Sequence, residues 1–250
     1  MRIAVAGGTG TVGRHVVAAA QARGHDVTVL SRGAGVDVLA GTNLDSALAG
    51  VSVVIDVLNL TSLSKLKSVA FFERATQNLL RAEARAGASH HVALSIVGID
   101  RIDASYYAGK LAQERLVNSS DVPHTVARAG QFHEFAEQVV GQATFGGVSV
   151  VPRLLGRPVA ASEVAGHLIS IAEGEPLGRA SDLVGPRNET LADMVRRMYT
   201  HDGVRRRVLE ARLPGPYGRG LASGDLRGSG SVTVAKVGFD EWLSSGHRRR

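Results

Sequence analysis

The first thirteen residues constrain this chain more than any others. Arg2-Ile3-Ala4-Val5-Ala6 is a short apolar run of β character, and Gly7-Gly8-Thr9-Gly10-Thr11-Val12-Gly13 follows it without a spacer. Gly7, Gly10 and Gly13 stand in a GxxGxxG spacing, and residues 12–23 then read as a helix that Gly24 stops. Gly7 permits a tight turn off the strand, Gly10 lets backbone approach a ligand, and Gly13 lets the helix pack closely on the sheet. The start of that helix points unsatisfied N–H groups outward and favours an anion there. A merely tight structural turn is the bland alternative. The strand before and the helix behind argue against it.

The alternation set up by this turn continues. Residues 26–31 read as a second strand, 35–39 as a short third, and 51–60 as a β-branched run suited to a strand buried on both faces. A helix over 69–85 ends at Gly87, a strand follows over 90–98, and a helix over 105–118. Residues 124–128 form another strand, and a helix starts near Gln131. Strand and helix alternating at this spacing predict right-handed βαβ units around a parallel sheet. Beyond about residue 145 the rhythm loosens into short strands near 148–151 and 158–160, a helix over 162–173, a segment 181–185 and a helix from Thr190. Residues 214–231 read as loop with at most a short helix, and 239–243 as a final helix pinned by its aromatics. The expected fold class is α/β, a Rossmann-type doubly wound parallel sheet with a small C-terminal substrate-side lobe. One domain spans 1–250, with a dinucleotide-binding core over about 1–130 and the lobe over about 131–250, and no clean linker separates them.

Composition narrows the function classes. At 44% hydrophobic and 21% charged residues, the chain can build a sizeable core. No apolar run approaches the ~20 residues needed to cross a bilayer, which sets membrane roles aside. Without cysteine there is no disulfide, thiolate nucleophile or Cys-based zinc site. With no other address visible, cytoplasmic is the default. The net charge of +6 sits in the tail: residues 1–195 hold 17 Lys/Arg against 18 Asp/Glu, and 196–250 hold 12 against 5. Arg205-Arg206-Arg207 and Arg248-Arg249-Arg250 lack interleaved aromatics, so a solvated arginine-rich surface explains them better than a nucleic-acid site.

The end of the second strand discriminates between dinucleotides. An acid there would bind a ribose 2′-hydroxyl and favour NAD, whereas donors accommodate the 2′-phosphate of NADP. Here the strand ends Leu30-Ser31-Arg32-Gly33, with no acid, so Ser31 and Arg32 favour NADP and leave NAD as the alternative. Downstream, Tyr106-Tyr107-Ala108-Gly109-Lys110 places Tyr106 and Lys110 at i and i+4 on one helix face. A lysine ammonium so placed lowers the tyrosine pKa from about 10 and improves its poise for proton transfer. Ser95, ending the preceding strand, could hydrogen-bond a substrate carbonyl. A surface Tyr–Lys pair is the ordinary explanation of YxxxK, but its place after Ser95 and the glycine turn favours the chemical one.

These motifs together resemble the short-chain dehydrogenase/reductases, specifically the atypical branch of NmrA-like NAD(P)H-binding proteins. GGTGTVG, SRG, GVDVLAG, VVIDVLN, HHVALSIVGIDR, YYAGKLAQERLV and ARAGQFHEF carry the resemblance, which PVAASEVA, DLVGPRNETLADMVRR and FDEWL extend over nearly the whole chain. The resemblance implies that Ser95, Tyr106 and Lys110 are catalytic. Tyr106 would donate a proton as hydride leaves the nicotinamide, and Lys110 would hold the nicotinamide ribose. Tyr107 remains a rival proton donor. The resemblance further implies a cofactor site of Gly7, Thr9, Gly10, Thr11, Val12 and Gly13, Ser31 and Arg32, Val57, Leu58 and Asn59, Ser95 and Lys110, and Ala129 and Gly130. Ile96, Val97, Tyr107, Gln131, Phe132 and Phe135 would line the substrate pocket. Gly109 costs about 1 kcal/mol in a helix relative to alanine, which close approach to the cofactor would rationalise.

No metal is expected. His90-His91 and His133-Glu134 lack HExxH spacing and read as structural histidines. Asp56, inside an apolar strand, reads as a satisfied buried polar group or a residue at the sheet rim. The first functional hypothesis is an NADP-dependent reductase passing hydride to a small carbonyl, quinone or similar electrophile. The second is a non-catalytic NAD(P)H-binding redox sensor of NmrA-like type, which alone would need a partner protein. Epimerase or dehydratase chemistry on a nucleotide sugar ranks below both, since the chain is short for the substrate lobe that requires. A homodimer through two exposed helices is common in the wider family, though no residue here specifies it.

Overall fold

The computed structural model describes residues 1–246 and 248. Strands β1 (Arg2–Ala6), β2 (Asp26–Leu30), β3 (Val53–Asp56), β4 (His90–Ile96) and β5 (His124–Ala129) alternate with helices α1 (Gly13–Ala22), α2 (Leu44–Ala47), α3 (Lys65–Ala86) and α4 (Ser105–Asn118). Next come α5 (Phe135–Gln142), β6 (Thr144–Phe145), β7 (Val148–Pro152), β8 (Leu155–Gly156), α6 (Ala161–Ala172), β9 (Gly178–Arg179) and β10 (Asp182–Val184). The chain closes with β11 (Glu189–Thr190), α7 (Leu191–His201), β12 (Arg207–Ala211), α8 (Gly215–Ser223), β13 (Val232–Val234) and α9 (Phe239–Ser244). Two compact units form, each from several segments. The first comprises Met1–Ser95, Ala104–Arg128 and Val164–Ser181, and the second Ile96–Asp103, Ala129–Glu163 and the chain from Asp182 on.

In the first unit the strand order is β5-β4-β3-β1-β2. β1 runs parallel to both β2 and β3, with Ile3 opposite Val27 and Val53, and β9 pairs in parallel with β5. The order reverses at β1, the doubly wound arrangement expected of βαβ units that start from one central strand. Four of the five residues of β1 are buried, so both of its faces are covered. On one face Ala4, Ala6 and Val54 meet Leu44 of α2, Leu48 just after it, and Ala75, Leu79 and Ala82 of α3. Strand alternation turns Ile3 and Val5 to the other face. Helix α1 lies against β1 and β2, burying Val16 and Ala20.

The strand expected over 35–39 does not form. Asp37 Oδ1 accepts the N–H groups of Leu39 and Ala40 at 2.9 and 3.0 Å, and Gly35 and Gly41 both sit at φ +77. This turn chemistry outweighs the β propensity of the valines, whose side chains at 36 and 38 still reach the core. Gly109 also has a different reason from the one expected. A Cβ there would stand 2.7 Å from both Phe72 Cδ2 and the Ser68 carbonyl oxygen, so glycine lets α4 close against α3.

In the second unit β7 is the centre of a three-stranded sheet, β12-β7-β6, and β10 pairs in parallel with β13. Neither β12 nor β13 was legible, because the arginines of 205–207 and the glycines of 214–231 mask their β character. The helix expected from Gln131 begins at Phe135, since Phe132 bridges Val159 and His133 N–H donates to the Val159 carbonyl at 3.1 Å. The aromatic pinning of α9 is present. Trp242 is wholly buried, stacks on Phe239 and donates from Nε1 to Glu134 at 3.2 Å. His133 packs against both rings and places Nε2 3.1 Å from the Val237 carbonyl. Arg205, Arg206 and Arg207 are exposed as expected, but Arg248 is ion-paired with Asp202 and Glu137 rather than solvated. Arg249 and Arg250 lie outside the described residues.

Two predictions follow from this packing. A helical Gly→Ala exchange ordinarily stabilises by about 1 kcal/mol. Gly109→Ala should instead destabilise by about 1–3 kcal/mol in urea unfolding, because the added methyl meets helix α3. Burial holds the His133 imidazole down at about 4, outweighing the Val237 carbonyl that favours its charged form. Between about pH 6.5 and 4 the unfolded chain therefore binds a proton that the folded one does not. Stability should fall through that window by up to about 3 kcal/mol and level off below it, and His133→Phe should remove that part of the acid loss. An identical acid profile in the variant would acquit His133.

Candidate cofactor and active site

The glycine turn is built by close contacts within the first unit. Gly7 sits at φ +83, and a Cβ there would stand 2.9 Å from the Val57 carbonyl oxygen and 3.1 Å from Leu58 Cα. A Cβ at Gly13 would stand 2.0 Å from the Gly7 carbonyl oxygen. Gly10 N–H closes the turn onto that same carbonyl at 2.9 Å. Thr9 and Gly10 are exposed, Thr11 is half-buried, and Val12 is buried as the residue preceding α1. No side chain caps α1 and no acid lies in its first turn. An uncapped helix start without opposing charge, beside a turn that only glycine can make, fits a pyrophosphate. It stands at the reversal of strand order, beyond the carboxyl ends of β1 and β3, where such folds bind ligands.

Ser31 and Arg32 follow β2. Ser31 Oγ accepts the Ala34 N–H at 3.3 Å, which leaves its own O–H to donate. Arg32 is exposed and has no ion-pair partner among the described residues. This donor set matches a phosphate and offers no carboxylate to a ribose diol.

Beyond β3 the segment Val57-Leu58-Asn59 passes from buried to exposed, and Tyr106 O–H donates to Asn59 Oδ1 at 2.7 Å. Tyr106 is half-buried, with its ring edge-on to Phe72 at 5.7 Å, whereas Tyr107 is only 2% exposed. The residue before this pair, Ser105, is strained at φ +54, and its hydroxyl donates to the Leu63 carbonyl at 2.8 Å. The Ser105 anchor thereby fixes how α4 starts and where Tyr106 projects.

Lys110 turns inward. Its ammonium donates to Gln113 Oε1 and lies 4.7 Å over the Phe72 ring. Gln113 Nε2 passes the contact to Asp56 Oδ2 at 2.8 Å, and Asp56 Oδ1 accepts the Leu58 N–H at 2.9 Å. Burial pushes the Lys110 pKa down to about 8, with Asp56 and Glu114 pulling the other way. Asp56 is thus a satisfied buried carboxylate at the end of β3. Ser95 Oγ is buried with no hydrogen-bond partner among the described residues.

The structure therefore brings Gly7 against Val57 and Leu58, Tyr106 onto Asn59, and Lys110 onto Asp56 through Gln113. The remaining expected site residues belong to the second unit. Gly130 N–H donates to the Leu183 carbonyl at 2.8 Å, and a Cβ there would stand 2.3 Å from the Arg157 carbonyl oxygen. Ala129 and Val97 are buried and joined by an N–H···O bond of 3.0 Å, while Ile96, Gln131, Phe132 and Phe135 are half-buried. The sequence pattern alone assigns no role to Gln113 or Ser105. Gln113 stands at i+3 from Lys110, a spacing that could have flagged it.

The histidine pairs are structural. His90 Nε2 meets Thr125 Oγ1 at 2.8 Å, and His91 Nδ1 lies 2.9 and 3.0 Å from the two oxygens of Glu83. Burial alone would lower the His91 pKa, but the Glu83 carboxylate overcomes it and raises it. Among the described residues no group of three or more His, Cys, Asp or Glu could hold a metal ion, and no helix is long and apolar enough to cross a membrane.

The model of a family described as NAD(P)H-binding matches residues 7–173, about two thirds of the chain. An isoflavone reductase homolog from Zea mays is 29% identical over 163 residues, covering 56% of this chain and 52% of that protein. The chain thus spans about half the length of the curated relative it matches. Among solved structures, MoeE5 in complex with UDP-glucose and NAD superposes with a TM-score of 0.75 at 17% identity, over 99% of this chain and 97% of that one. A triphenylmethane reductase from Citrobacter sp. complexed with NADP(H) gives 0.66 at 16% identity, over 92% and 93% of the two chains. An NADPH-dependent quinone oxidoreductase from Escherichia coli also gives 0.66 at 16% identity, over 97% and 98%. At such identities these structures speak for the fold alone. The family match and the glycine turn together carry the assignment: the chain belongs to the NAD(P)H-binding family, and its cofactor is a nicotinamide dinucleotide.

Proposed function

We propose that this chain is an NADPH-dependent reductase that passes hydride to a small carbonyl, quinone or similar electrophile. The observation that carries the reading is the half-buried Tyr106 hydroxyl, held by Asn59 at 2.7 Å in the unit that bears the glycine turn. A proton donor in the unit that carries the dinucleotide turn suits reduction of an oxygen-bearing acceptor. The activities named for the isoflavone reductase homolog and the quinone oxidoreductase point the same way.

In this reading the bound dinucleotide supplies the hydride. Tyr106 gives its phenolic proton to the acceptor oxygen, and Asn59 holds the hydroxyl until the acceptor replaces it. The unpartnered Ser95 hydroxyl hydrogen-bonds the acceptor. Lys110, buried beneath, supplies positive charge that eases release of the tyrosine proton. Ser31 and Arg32 take the 2′-phosphate and set the preference for NADPH over NADH.

Calorimetric titration tests the cofactor assignment. NADPH should bind tightly and NADH weakly, and Arg32→Ala should weaken NADPH by about 10–100-fold while leaving NADH unchanged. Equal wild-type affinities would refute the NADPH preference. Tyr106→Phe should lower turnover of carbonyl or quinone acceptors by about 10²–10⁴-fold and leave NADPH affinity intact. Cofactor binding without turnover of any acceptor, in wild type and variant alike, would instead favour the non-catalytic redox-sensor reading.

A further inference from the structure

We propose that Gln113 and Asp56 are positioning residues for Lys110, and that the circuit they close through Asn59 ties the ammonium of Lys110 to the seat of Tyr106. The proposal rests on the reading of Tyr106 and Lys110 as a working pair.

The circuit can be followed bond by bond. Tyr106 O–H donates to Asn59 Oδ1 at 2.7 Å. Asn59 follows Leu58, whose N–H donates to Asp56 Oδ1 at 2.9 Å. Asp56 Oδ2 accepts from Gln113 Nε2 at 2.8 Å, and Gln113 Oε1 accepts from the Lys110 ammonium. Lys110 lies one helical turn beyond Tyr106 on α4, which closes the ring. Polarity is forced at each step. An ammonium can only donate and an ionised carboxylate can only accept, so the carboxamide between them has one orientation that satisfies both.

Burial makes this arrangement consequential. Lys110, Gln113 and Asp56 are 3%, 1% and 0% exposed. A direct lysine–aspartate pair at that depth would hold the ammonium firmly charged. A neutral amide between them keeps the attraction but weakens it, and burial, the larger effect, brings the Lys110 pKa down to about 8. The other charged groups around Lys110 are already engaged. Glu114 of α4 is held by Arg128 of β5 at 2.7 and 2.6 Å, and His91 of β4 is held by Glu83 of α3. The Phe72 ring of α3 covers the ammonium. Gln113 is therefore the group through which Asp56 reaches Lys110, and Asp56 at the same time shapes the backbone that presents Asn59.

The chain has four lysines, Lys65, Lys67, Lys110 and Lys236, so ε-¹³C-lysine labelling gives a spectrum simple enough to assign by single substitutions. The full chain without cofactor is titrated by NMR, with circular dichroism to confirm folding. Lys110 should titrate near pH 8 in the wild type. Gln113→Leu should lower its midpoint by about one unit through loss of a charge-assisted bond. Gln113→Glu, nearly isosteric, should raise the midpoint by about 1–3 units and carries the test if the leucine variant does not fold. In turnover assays with NADPH and menadione, the alkaline limb of kcat/KM should move in the same direction as the NMR midpoint, whereas a merely structural role would change its height alone. An unmoved Lys110 midpoint in folded Gln113→Glu would overturn the proposal. Midpoints that shift in a protein that reduces no acceptor would uphold the Lys110 circuit and defeat the reductase reading instead.

Discussion

A methyl group on residue 13 would fall 2.0 Å from the Gly7 carbonyl oxygen, closer than any real contact, and one on residue 7 would fall 2.9 Å from the Val57 carbonyl. These two absences of a side chain set the architecture of the first unit. Because Gly13 lacks a Cβ, α1 starts directly on top of the turn leaving β1. Because Gly7 lacks one, that turn abuts the chain leaving β3. The helix start, the end of β1 and the end of β3 are thereby drawn to one place, at the reversal of strand order where a ligand can enter between diverging connections. Alanine at either position would displace backbone from backbone, which no rotamer change can relieve.

A sheet covered on both faces allows a polar side chain only where a partner is built in. The first unit follows this rule at its buried charges. Asp56, Glu83, His91, Lys110, Gln113, Glu114 and Arg128 are all buried. Each has a partner: Glu114 with Arg128, His91 with Glu83, and Lys110 with Asp56 through Gln113. Such pairs are costly to bury and more costly to break. They therefore hold α3, α4, β3, β4 and β5 in one mutual register. Phe72 and Gly109 work within the same contact, the ring filling the space that the missing Cβ leaves between α3 and α4.

The second unit relies on a different anchor. Glu134 accepts from the Trp242 indole at 3.2 Å and from the Ala161 N–H at 3.3 and 3.4 Å, joining α9 to the start of α6. Glu163 accepts the N–H groups of Lys236 and Val237 at 2.7 and 3.1 Å just before α9. Burial raises the Glu134 pKa, which the Trp242 indole, the Ala161 N–H and its own backbone N–H only partly offset. A short C-terminal helix of six residues would not persist alone, and these side-chain bonds with two stacked aromatics hold it in place.

Much of the first unit was legible in the sequence because its signals are local. Glycine spacing dictates which backbone turns are allowed, β-branched runs mark strands buried on two faces, and Tyr106 and Lys110 share a helix face by arithmetic alone. The absence of an acid after β2 was likewise readable, since it depends on adjacency to a strand end. What failed was of another kind. The valines of 36 and 38 looked like a strand until Asp37 and two glycines made a turn of them, and Gly109 looked like a cofactor approach until Phe72 and Ser68 supplied the reason. Gln113, Ser105 and the inward course of Lys110 depend on β3, α3 and α4 meeting across 42 to 57 residues of chain. Periodicity and propensity describe what one segment can do on its own. Which buried charge finds which partner is decided only when distant segments close on one another, because an unpaired polar group in the interior costs more than any local preference can return.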